Sequence, residues 1–146
     1  MQSKLVSKPG ETRVWIAVLE KGEEAKASLL KLAKREGIEN ASFAALGAFE
    51  KATIAYFDWP EKKYKNIPVA EQVEVLILVG DIVPDEKDEP SLHAHVVLGR
   101  NDGSTRGGHL IEGYVRPTLE ITVTETPAHL TRRKHPELGI ALIEAG

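Results

Sequence analysis

Apolar and polar residues alternate along several stretches of this chain, as in strands with one buried face, and one stretch carries helical spacing instead. Arg13–Leu19, RVWIAVL, is the first expected strand, with Trp15 large enough to anchor it in a core. A helix follows over roughly Glu23–Glu36, where Ala25, Leu29, Leu32 and Ala33 form the apolar stripe. Glu23 and Glu24 in its expected first turn complement the helix dipole, and Gly37-Ile38 supplies a C-cap with a hydrophobic follow-on. A strand is expected from Ala41 to near Gly47, then a turn at Phe49-Glu50. An antiparallel strand is expected over Lys51–Asp58, with Ile54 and Tyr56 facing away from Thr53 and Phe57. Trp59-Pro60 ends it, since proline has no ladder donor, and a brief extended piece follows over Lys63–Ile67.

Glu71–Val79, EQVEVLILV, has the strongest strand pattern. Its first half alternates, whereas Leu76–Val79 is apolar on both faces, which predicts a central strand covered on both sides. The second cover is either a subunit partner or loops of the same chain. Asp81–Pro90 is acidic and bounded by proline, and reads as a mobile loop. Beyond the histidine segment, Leu110–Val115 continues as strand, and Leu119, Ile121 and Val123 alternate with Glu120, Thr122 and Thr124. His129–Lys134 is short and basic, His135-Pro136 breaks it, and Gly139–Ile143 adds a last apolar piece. The sum is an α+β domain: a mostly antiparallel, curved sheet packed against one main helix. Residues 1–10 read as a flexible lead-in and 11–146 as one domain.

Composition narrows the chemistry. The 146 residues contain no cysteine, which excludes thiolate metal sites, cysteine nucleophiles and disulfides, and suits a cytoplasmic setting. The formal net charge of -3 does not suggest an overall nucleic-acid footprint, although a local basic patch remains compatible with it. Residues 1–10 lack the apolar segment of a secretory signal, and no run reaches transmembrane length.

The densest chemistry lies in Ser91–Glu120. In a strand His93 and His95 point to one face, while Leu92, Ala94, Val96 and Leu98 take the other and read as core. Asn101-Asp102-Gly103-Ser104 is turn material, so the chain doubles back and carries His109 toward the pair. Three imidazoles with an open fourth position suit zinc or another divalent metal, either structural or polarising a bound water or oxyanion. Ordinary hydrogen bonding on a half-buried face is the competing role for His93 and His95. Gly99, Gly103, Gly107 and Gly108 suit either turn geometry or close approach of backbone N–H groups to an anion. Arg100, Arg106 and Arg116 are candidates for a small anionic ligand, and Arg132, Arg133 and Lys134, with Arg100 and Arg106, for nucleic acid. Surface ion pairs explain the same residues. Glu74, Glu112 and Glu120 are the candidate carboxylates, Glu120 foremost by its place on the polar side of its strand. No P-loop, Rossmann fingerprint, nucleophile elbow or H-E-x-x-H motif is present.

Leu92-His93-Ala94-His95 followed by Gly107-Gly108-His109-Leu110 resembles the plants-and-prokaryotes-conserved domain family, PPC or PCC, also described as DNA-binding. Leu19-Glu20-Lys21-Gly22-Glu23, Gly47-Ala48-Phe49, Ala55-Tyr56-Phe57-Asp58 and Val115-Arg116-Pro117-Thr118-Leu119-Glu120 extend the resemblance in family order over nearly the whole chain. The resemblance implies a largely antiparallel α/β fold and a homotrimer. It also implies that His93, His95 and His109 coordinate a metal, usually taken as zinc. The AT-hook that precedes the domain in plant nuclear proteins is absent here. Three readings follow. One is a trimeric metal-binding protein with a regulatory or DNA-associated role. Another is a metal-dependent hydrolase or lyase on a small anionic substrate, with Glu120 and Arg116 as its catalytic candidates. The third is a structural or interaction protein.

Overall fold

The computed structural model describes residues 1–127 and 129–144. In chain order they form β1 (Gln2–Leu5), β2 (Val14–Glu20), α1 (Ala25–Glu36), β3 (Ala41–Asp58), β4 (Lys63–Val69) and β5 (Val73–Pro84). These are followed by β6 (Pro90–Gly99), β7 (Thr105–Glu125), β8 (Thr131–His135) and β9 (Ile140–Glu144). No helix among the described residues is long and apolar enough to cross a membrane.

Seven strands make one antiparallel sheet in the order β1-β2-β7-β6-β5-β3-β4, and β8 and β9 form a separate hairpin. β3 also pairs with β7 along most of its length, so β7, β6, β5 and β3 close on themselves. Bulges between Ala45 and Gly47, and between Thr53 and Ile54, let β3 bend through this closure. The expected turn at Phe49-Glu50 is therefore replaced by continuous strand from Ala41 to Asp58. The extra residues of the bulges also break the simple alternation: Ile54 and Phe57 are buried, whereas Tyr56 is exposed. Leu110–Val115 and Leu119–Thr124 likewise belong to the one strand β7.

The helix begins at Ala25, two residues later than its pattern suggests. Glu24 is the N-cap, its carboxylate accepting from the backbone N–H of Lys26 (3.1 Å) and Ala27 (2.7 Å). The same carboxylate accepts from Gly113 N–H at 3.0 Å, which ties the start of α1 to β7. Gly37 ends the helix in the left-handed conformation, φ +63°, as its position predicts. Ala25, Leu29, Leu32 and Ala33 are all buried against the sheet, joining Leu19, Phe49, Leu98, Leu119 and Ile121 in the core. At the far end Glu125 accepts from Trp15 Nε1 (2.9 Å) and Arg13 (2.7 Å), and Arg13 also donates to the Glu36 carbonyl at 3.2 Å. One carboxylate thus fastens β2, β7 and the end of α1.

Two stretches differ from their expected state. Within the segment read as a lead-in, Gln2–Leu5 pairs with β2 as an edge strand. The acidic stretch Asp81–Pro90 is not a long loop: β5 runs to Pro84, β6 starts at Pro90, and a short turn joins them. Asp85 organises that turn by accepting from Lys87 N–H (2.8 Å) and Glu89 N–H (3.1 Å).

Gly80 shows how tightly β5 passes its neighbours. A Cβ there would stand 2.7 Å from the Phe43 ring and even closer to the His93 carbonyl. Gly80→Ala is expected to destabilise the fold by about 1–3 kcal/mol through overpacking, measured as a fall in the denaturant midpoint at unchanged slope.

Candidate metal centre

The β6–β7 hairpin carries the histidines. Its turn is closed by Arg100 N–H to the Ser104 carbonyl (2.9 Å), and Asp102 accepts from Ser104 N–H (2.9 Å). Gly103 takes φ +80°, the left-handed conformation that glycine adopts without strain. The resulting register sets His95 directly opposite His109. Ala94, Val96 and Leu98 point into the core, as their alternation predicts, so His93 and His95 share the outer face. β3 lies on the other flank of β7, with Ala55 opposite His109. Gly108 permits that contact, since a Cβ there would stand 2.6 Å from the Ala55 carbonyl.

The three rings converge. Centroids are 5.0 Å apart for His93–His95, 5.1 Å for His93–His109 and 4.2 Å for His95–His109. One nitrogen from each lies within 4.8 Å of the others. A tetrahedral ion with bonds of about 2.0–2.1 Å holds its ligand nitrogens roughly 3.3–3.5 Å apart, inside the 4.8 Å that bounds this cluster. His95 is exposed and the other two half-buried, so the cluster opens to one side. Among the described residues this is the one histidine and carboxylate group with metal-holding geometry.

Electrostatics favour the neutral, ligating form. Burial, reinforced by the positive charge of Arg132 and by the neighbouring imidazoles, pushes His93 down to about 4, against a partial upward pull from Asp81. Burial and His95 also lower His109, with the Ala55 carbonyl opposing them.

The surrounding residues come from strands whose part was not visible in the pattern. Tyr64 of β4 meets His109 edge to face at 4.7 Å between centroids. Asp81 pairs in register with His93 and makes an ion pair with Arg132 of β8. Arg132 is buried, with only 8% of its side chain exposed. The basic segment, read as a nucleic-acid or surface ion-pair candidate, thus contributes its first arginine to the interior. A cavity of about 450 Å³ beside the cluster is lined by Tyr64, His93, His95, His109 and Ile140, among others. A neighbouring one of about 480 Å³ runs past His93 under the β8–β9 hairpin.

The other candidates lie elsewhere. Arg100 pairs with Glu71 at 2.7 Å, Arg133 with Glu144 at 3.0 Å, and Arg116 stands 3.8 Å from Glu50. Arg106 is exposed, as is the side chain of Lys134, whose backbone N–H donates to Glu86 (3.1 Å). Glu120 lies toward the far end of β7 and lines a third cavity with Ile16, Leu46, Leu76 and Ile77. Neither Glu120 nor Arg116 lines a cavity reaching the imidazoles. Glu112 accepts from Thr53 Oγ1 at 3.0 Å, and Glu74 is exposed on β5. The carboxylate that the fold brings to the histidines is Asp81, and the arginine is Arg132. Asp81 gave no sign of this in the sequence, because it opens the acidic, proline-bounded stretch Asp81–Pro90, which reads as a loop.

A lowered His93 pKa makes native stability depend on pH. Between the ordinary histidine value of 6.5 and about 4, the unfolded chain binds a proton at His93 that the native state does not. Stability of the metal-free protein is expected to be full above the upper value and to fall as pH drops toward the lower. Urea titrations across that window measure it, and His93→Gln is expected to flatten the curve there.

A model of the Plants and Prokaryotes Conserved (PCC) domain matches residues 6–127. A plant- and prokaryote-conserved protein of Pyrococcus horikoshii is 34% identical, with TM-score 0.85, covering 94% of this chain and 97% of that one. A candidate DNA-binding protein of Ralstonia eutropha is 30% identical, with TM-score 0.86 and coverage of 98% and 96%. A metal-containing protein of Archaeoglobus fulgidus is 26% identical, with TM-score 0.83 and coverage of 97% and 98%. Comparison with curated proteins finds no match.

Proposed function

The chain belongs to the Plants and Prokaryotes Conserved domain family, and from that premise we propose that it is a self-associating metal-binding protein whose His93, His95 and His109 hold one divalent ion, zinc foremost. The observation that carries this reading is the convergence of three ligand nitrogens within 4.8 Å on an open-sided face. Burial favours the neutral form of His93 and His109, which is the form that zinc requires. The metal content of the Archaeoglobus relative supports it. When bound, such an ion polarises whatever oxygen occupies its remaining position. The chain's own residues orient the site: Tyr64 packs on His109, and Asp81 and Arg132 stand beside His93.

Self-association rests on a different surface. Ile16, Leu46, Leu76, Ile77, Val79 and Val97 are all more than a third exposed, and several share the cavity that Glu120 lines. A concentration of apolar side chains on the outer face of a sheet calls for a cover, and a further copy of the chain in a homotrimer supplies one. The DNA-associated role is the second reading, supported by the description of the Ralstonia relative and by exposed Arg106, Arg133 and Lys134. A cytoplasmic setting suits a chain without cysteine.

Purified protein supplied with zinc is expected to retain one ion per chain by elemental analysis. His95→Ala and His109→Ala are each expected to weaken retention by more than the 10–100-fold typical of outer-shell changes. Retention unchanged in both variants would sink the three-histidine site. For assembly, Leu46→Glu with Ile77→Glu is expected to convert the trimer to monomer in sedimentation, leaving zinc content the same.

A further inference from the structure

We propose that the cleft between the histidine cluster and the β8–β9 hairpin binds a small organic carboxylate, one end on Arg132 and the other toward the metal position. This deepens the metal-binding reading and rests on it for the second end.

Two independent features point to the ligand. The first is the space itself. The cavities of about 480 and 450 Å³ share Tyr64, His93 and Ile140, so the space under the hairpin and the space over the imidazoles adjoin at His93. Both volumes fall in the range that small ligands occupy. Leu92, Pro136, Ile140 and Ala141 give the first cavity a largely apolar wall, suited to a hydrocarbon body.

The second feature is Arg132. It lines that cavity with its side chain 92% buried, and it enters the ion pair with Asp81 through Nη2. Nη1 reaches the Ala141 carbonyl only at 3.5 Å, and the buried Nε–H has no acceptor among the described residues. A buried guanidinium donor without an acceptor is costly, and a ligand oxygen removes that cost. Asp81 already balances one unit of charge, so the guanidinium retains a donor suited to a single carboxylate oxygen. A phosphate group, with more strong acceptors than that donor can serve, fits less well. The three neutral imidazoles leave the charge of a divalent ion unbalanced, which favours an anion between it and Arg132.

Zinc-loaded protein is titrated by calorimetry with propionate, benzoate, inorganic phosphate and the neutral analogue propionamide, and its zinc content is measured in the same samples. Both carboxylates are expected to bind at least tenfold more tightly than propionamide or phosphate. Arg132→Lys, which keeps the charge opposite Asp81 but removes the Nε donor, is expected to weaken them tenfold at constant zinc. Because that variant also alters a buried pair, the Nε–H resonance of Arg132 is followed in the wild type as propionate is added. An unmoved resonance, phosphate or propionamide binding as well as propionate, or undiminished carboxylate affinity in a folded Arg132→Lys protein would each overturn the proposal. Absence of zinc from the wild type overturns the metal reading instead, and the resonance measured on zinc-free protein still tests Arg132.

Discussion

The pairing of β3 with β7 is the constraint from which the candidate site follows. In its first half β3 lies between β5 and the end of β7, and in its second half between β4 and the start of β7. One strand cannot serve both sets of neighbours while straight, so bulges bend it and glycines stand where the backbones come closest. A Cβ at Gly113 would stand 2.6 Å from the Phe49 ring, just as one at Gly108 would meet the Ala55 carbonyl. With those atoms absent the sheet closes, and the start of β7 is held between β6 and β3. His109 therefore has His95 on one side and, across Ala55, the strand that pairs with β4 and Tyr64 on the other. Ring placement is thus a product of the sheet's closure, reinforced by backbone hydrogen bonds at every step.

Local patterns were readable where a single short-range preference decides. The alternation around His93 and His95, the turn at Asn101–Ser104 and the Gly37 cap each depend on a few adjacent residues, and all three match the structure. The long strands were misjudged for a physical reason. Gly47, Phe49-Glu50 and Arg116-Pro117 look like interruptions, yet pairing on both flanks of β3 and β7 carries the chain through them, because tertiary hydrogen bonding outweighs a local turn preference. Asp81–Pro90 misled in the opposite direction: acidic residues and prolines suggest solvent, while the first four residues complete β5.

The same limit governed the site. Three histidines at short spacing on one hairpin can be brought together on paper, since the turn and the period of two fix their relation. Tyr64, Asp81 and Arg132 come from three other strands, and no periodicity relates them to the histidines. Arg132 was the least visible of all. In a run Thr-Arg-Arg-Lys a charged face is the ordinary expectation, and Arg133 and Lys134 conform to it. Alternation along β8 nonetheless turns the first arginine inward, where Asp81 receives it.

That inward turn has a consequence for how the hairpin is held. A buried ion pair gains little net stability, because the desolvation of both charges offsets their attraction, whereas breaking one is expensive. The Arg132–Asp81 pair therefore does more to fix the position of β8 than to strengthen the fold as a whole. Asp81 faces His93 in register, so the anchor that fixes the hairpin stands directly across from one of the clustered imidazoles. Its two charges act on His93 in opposite directions, and the net effect with burial is a neutral ring. Hairpin placement is consequently set by this pair, while burial is what chiefly holds the neighbouring His93 ring neutral. A site built this way keeps His93 unprotonated while holding a guanidinium, already paired with Asp81, in the wall of the neighbouring cleft.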